Sequence, residues 1–189
     1  MESDLPLKQP TARINPLIIL PLLGLYLISL YSFLLFHSLV ELFSIAVAFS
    51  IFIISWNARR FIDGNYLVLL GVAYLFVGGI DLLHTLAYKG MGVFQGYDAN
   101  LPTQLWIVAR YLQSLSLLAV PLLIKKKIEI KRTFVIYLAA SSILISSVFF
   151  GGFPDCFVEG VGLTSFKKAS EYAISSLLLL SMIFHYLCH

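Results

Sequence analysis

His37 and Glu41 stand four residues apart in LLFHSLVELF, residues 34–43, inside a run that stays apolar for about another dozen residues. Asp81, His84 and Tyr88 follow at intervals of three and four in GIDLLHTLAY. Trp106, Arg110 and Gln113 follow at four and three in LWIVARYLQ, and Glu171 stands one turn past Lys167 in FKKASEY. Residues three, four and seven apart share one face of a helix. Each set is therefore a polar stripe on an otherwise apolar segment. Two imidazoles and two carboxylates are metal-ligand chemistry, and a guanidinium beside them can hold an anion or a carbonyl.

The elements that must carry these stripes follow from composition. Of 189 residues, 59% are hydrophobic and 12% charged, against about 25% charged in soluble domains. That balance indicates an integral membrane protein. A transmembrane helix needs about 20 mostly apolar residues, and six such runs are present, at about 15–35, 36–59, 64–88, 103–124, 132–150 and 165–187. They are long and unbroken, which excludes the short alternating segments of a membrane β-barrel. The expected fold is an all-α polytopic transmembrane bundle over residues 15–189, behind a polar leader at 1–14. The leader lacks the short basic start and small-residue cleavage site of a signal peptide. Two cysteines, Cys156 and Cys188, do not make a disulfide framework. Nothing suggests a nucleic-acid partner. The lipid bilayer is the expected surrounding.

Loop charge sets an expected orientation. Lys8, Arg13, Arg59, Arg60, Lys125, Lys126, Lys127, Lys131 and Arg132, nine of the 13 basic residues, fall on one side if six helices alternate. The positive-inside rule makes that side cytoplasmic, with both termini there. At about 1.5 Å per residue, His37, Glu41, Asp81, His84, Arg110 and Glu171 then all lie in the outer half of the membrane, with Tyr88 at the rim. The inner halves are nearly bare until His185. Gly71, Gly78 and Gly79 suit close helix packing, and Trp56 and Tyr66 an interfacial aromatic belt.

Ionisable side chains within spans point to function by default. One reading is structural, with Arg110 paired to Glu41 or Asp81. Pairing accounts for one or two charges and less well for five ionisable groups with aromatics. A second is a small-molecule pocket, an apolar cleft with a few convergent polar groups. A third is a metal or haem site with His37 and His84 as ligands. Catalysis is disfavoured, because no serine or cysteine nucleophile sits in a recognisable setting. So is transport, because a path would stay polar to the inner face.

The stretches FHSLVELFSIAVAFSIFIISWNARR, YLFVGGIDLLHTLAYKGMGVF, LPTQLWIVARYLQSLSLLAVPLL and FPDCFVEGVGLTSFKKASEY carry a resemblance across residues 36–172. In these motifs the chain resembles the third class of bacterial and archaeal membrane-associated sensor domains. The resemblance implies a non-enzymatic input module in a prokaryotic cell membrane. It would signal to a cytoplasmic histidine kinase, PAS domain or diguanylate cyclase, in a two-component or cyclic di-GMP system, often as a homodimer. The family pattern falls on His37, Glu41, His84 and Arg110. The resemblance also implies further spans, to about eight, and a cytoplasmic output domain.

Overall fold

A computed structural model describes residues 16–61, 66–123, 126 and 128–188. The leader expected over 1–14 lies outside these residues. Among the described residues the secondary structure is helical apart from one short hairpin. Its elements are α1 (Pro16–Tyr31), α2 (Phe33–Ala58), α3 (Tyr66–Ala87), α4 (Asn100–Leu123), α5 (Ile130–Phe149), β1 (Phe157–Val158), β2 (Gly162–Leu163) and α6 (Ser165–Cys188). Lipid offers backbone amides no partners, so spanning segments close their hydrogen bonds internally as helices. Among the described residues, α2 to α6 are each long and apolar enough to cross a membrane, and α1 is a shorter apolar helix of 16 residues.

Several boundaries differ from the sequence reading. Ser32 alone separates α1 from α2, earlier than the expected break at 35/36. Its hydroxyl accepts from the Leu35 amide at 3.3 Å, as an N-cap does. Helical hydrogen bonds from Ser32 to Ile28 and from Phe36 to Ser32 flank it. The fourth helix begins at Asn100 rather than 103, because the Asp98 carboxylate accepts from the Asn100 amide at 2.9 Å. Pro102 then falls in the first turn, where its missing N–H costs nothing. The fifth ends at Phe149, and Gly151 takes a positive φ of 71° just beyond the cap, the left-handed conformation that glycine adopts without strain.

The residues divide into two compact units, Met1–His37 and Ser38–His189. In the second, α3 and α4 hold the centre. Ile80 on α3 packs with Leu101, Leu105, Val108 and Ala109 on α4 and with Val148 on α5. Residues 38–58 of α2 approach α3 through small residues. A Cβ at Gly71 would lie 2.6 Å from Ser55 Cβ, and one at Gly78 would lie 3.1 Å from Ala48 Cβ. Gly79 does not share this role, since a Cβ there meets nothing within 4 Å. Outward-facing residues such as Phe43, Ile54 and Ile143 are about two-thirds or more exposed, as lipid contact requires.

At the end where α3 finishes and α4 starts, two loops are tied down. Asn100 donates to Asp155 at 2.7 Å and accepts from the Cys156 and Phe157 amides at 2.8 and 3.0 Å. Phe94, Tyr97 and Phe149 form a triad with centroids 5.7–6.5 Å apart.

Candidate functional site

The end of α3 places Asp81 and His84 one turn apart on the side facing α4, and both are buried, at 2% and 5% exposure. Arg110, three turns into α4, forms an ion pair with Asp81 through Nη2. Its Nη1 donates to the Gln113 side-chain oxygen, and Gln113 Nε2 donates to the Tyr74 hydroxyl at 3.2 Å. Asp81 Oδ1 and Arg110 Nε are buried with no hydrogen-bond partner among the described residues. An ion pair removed from water has to be fully hydrogen-bonded to repay its desolvation. This one is only partly so, since one Asp81 oxygen and the Arg110 Nε lie outside its hydrogen bonds.

His84 Nδ1 lies 2.8 Å from the Pro102 carbonyl. A carbonyl only accepts, so Nδ1 carries the proton, and Nε2 is left on the side of Glu41, whose Oε1 is 4.0 Å away. Glu41, on α2, is also within electrostatic reach of Asp81 and Arg110. The structure thus brings Glu41, Asp81, His84, Arg110 and Gln113 together between α2, α3 and α4. His37 belongs to the other unit, where its ring stacks on Phe33 at 6.2 Å.

Tyr88 lies just past the end of α3 and joins His84, Lys89, Ala99, Pro102, Thr103 and Phe157 around a cavity of about 230 Å³. This cavity reaches His84 from the loop end of the bundle. Trp106 lies between two cations. The Arg110 guanidinium is 6.0 Å from its ring centroid and Lys167 Nζ is 3.6 Å away. Glu171 does not turn to Arg110, but pairs with Lys167 at 3.1 Å along α6.

Tyr74, Lys167 and the Pro102 carbonyl were not among the expected site residues. Tyr74 is seven residues before Asp81, a helical repeat legible in the sequence. Lys167 is 5% exposed, and its i,i+4 spacing to Glu171 was the available signal. A backbone carbonyl leaves no signal. Deeper along α4 the polar groups change character, and Ser114 and Ser116 donate to carbonyls of their own helix.

Under the tied loops, Cys156 is fully buried. Burial pushes its thiol from 9.0 up to about 11, against an opposing pull from Lys167. The fold favours the protonated thiol, so this contribution to stability is intact below pH 9 and is lost as pH rises towards 11. In a Cys188→Ser background, maleimide should label Cys156 at pH 8 roughly 100-fold more slowly than in the unfolded chain, from thiolate fraction alone. Labelling at the unfolded rate would mean the loop is not closed over it.

A family model described as a membrane-associated sensor domain, MASE3, matches residues 28–188. No curated protein and no solved structure matches the chain.

Proposed function

Because the chain belongs to the MASE3 family of membrane-associated sensor domains, we propose that it detects an extracytoplasmic or membrane-soluble signal through the Glu41, Asp81, His84 and Arg110 cluster. It relays that signal to a cytoplasmic histidine kinase, PAS or diguanylate cyclase output. The observation that carries this reading is the partly satisfied Asp81–Arg110 pair beside the His84–Glu41 contact, next to a cavity at the loop end. Loop charge supports cytoplasmic termini, which would open that cavity to the outside.

A signal can move the helices only if it binds two packings unequally. Arg110 supplies the means. It links α4 to α3 through Asp81, so a ligand that competes for either partner changes how the two helices are held.

The test joins the chain to a diguanylate cyclase and follows cyclic di-GMP as external pH, redox state and small solutes are varied. Output should change several-fold with at least one condition. Glu41→Gln, which leaves the Asp81–Arg110 pair in place, should flatten the response at an unchanged membrane level. An unaltered response in Glu41→Gln would remove the cluster from sensing, and a flat wild-type response would remove sensing itself.

One observation favours a second reading, in which His84 holds a metal ion or haem. A histidine whose Nδ1 is fixed by a carbonyl is oriented as metal-ligating histidines are. A stoichiometric metal or a Soret band in purified protein, lost in His84→Ala, would decide for it. Colourless, metal-free protein would decide against it.

A further inference from the structure

At the opposite end from the cluster, α2 and α5 flank a groove of about 500 Å³ lined by Phe52, Trp56, Ile130, Lys131, Phe134 and Val135. Its walls are apolar except for Lys131, and Val135 beside it is 61% exposed. Phe52 packs on Trp56 at 5.8 Å. The Arg59 guanidinium lies 4.2 Å above the Trp56 ring and donates to the Trp56 carbonyl. In a bilayer such a groove is filled by hydrocarbon, and its mouth says which kind. The flanking segments carry Arg59, Arg60, Lys126, Lys131 and Arg132, against Glu129 alone among their described acidic residues. An indole with cations around it marks headgroup depth, and basic clusters there attract anionic lipid.

We propose that this groove is a binding site for one anionic phospholipid. The acyl chain lies along Phe52, Phe134 and Val135. The phosphate meets Lys131, with Arg59 held beside it over Trp56. Lys131 in the wall and Arg59 over Trp56 favour an anionic lipid over a packed apolar helix, which needs no cations at its end. The site is independent of the sensory reading.

The chain has two tryptophans, so a Trp106→Phe background isolates Trp56 fluorescence. The protein is reconstituted in phosphatidylcholine vesicles doped with an equal minor fraction of either brominated phosphatidylglycerol or brominated phosphatidylcholine. The brominated phosphatidylglycerol should quench Trp56 at about a fivefold lower mole fraction, the preference expected from one basic residue near the surface. Lys131→Gln, at an exposed position, should remove most of that difference, as should high salt. Equal quenching by both lipids would overturn the proposal. Quenching by neither would show the groove filled by protein and overturn it too, and a full preference in Lys131→Gln would remove Lys131 as the headgroup contact.

Discussion

Arg110→Gln should cost about 3–5 kcal/mol of stability, the range for breaking a buried ion pair from one side. The cost arises at the residue left behind. Asp81 is 2% exposed, and without Arg110 it must remain as an unpaired buried carboxylate or take up a proton. Either state is expensive within a membrane bundle. Asp81→Asn in the same background removes the stranded charge, so the double variant should be less damaged than the two single costs predict. A coupling of about 0.5–3 kcal/mol is expected for groups in contact. Unfolding in mixed detergent, followed by circular dichroism, measures all four proteins. Strictly additive costs would show that the two side chains do not act as a pair.

The second large effect concerns two glycines on one helix. Gly71→Ala sets a Cβ 2.6 Å from Ser55 Cβ and 3.0 Å from its hydroxyl, so α2 and α3 must separate. Overpacking of this kind costs about 1–3 kcal/mol. Gly79→Ala meets nothing within 4 Å and gains helix propensity of up to about 1 kcal/mol. The two changes are chemically identical, so opposite signs in the same unfolding assay report the interface alone. Ser55→Gly removes the opposing carbon and should rescue Gly71→Ala. If Gly71→Ala proves as stable as Gly79→Ala, α2 does not pack on α3 through this contact.

Much of this was legible in the chain. Apolar run length gave the helices, because the bilayer sets span length and tolerates little else. The period of three and four gave the stripes on α3 and α4, and those residues do meet: Asp81 with Arg110, and Arg110 with Gln113. What was hidden depends on direction and on backbone. Glu171 shares the expected depth with Arg110 but turns along its own helix to Lys167, a choice no spacing rule makes. Gly79 reads like Gly78, yet one position of rotation, about 100°, carries it off the α2 interface. The tautomer of His84 rests on the Pro102 carbonyl, which has no letter of its own.

The Asn100 clamp has a consequence for the cavity beside His84. One side chain holds both strands of approach: the first turn of α4 directly, and Phe157, a wall of that cavity, through its amide. The mouth is thus ordered before anything enters. In induced-fit sites, immobilising loops subtracts from affinity, and here that entropy has already been given up during folding. A ligand entering there would be spared the cost of ordering these loops and would still lose its own translational and rotational freedom.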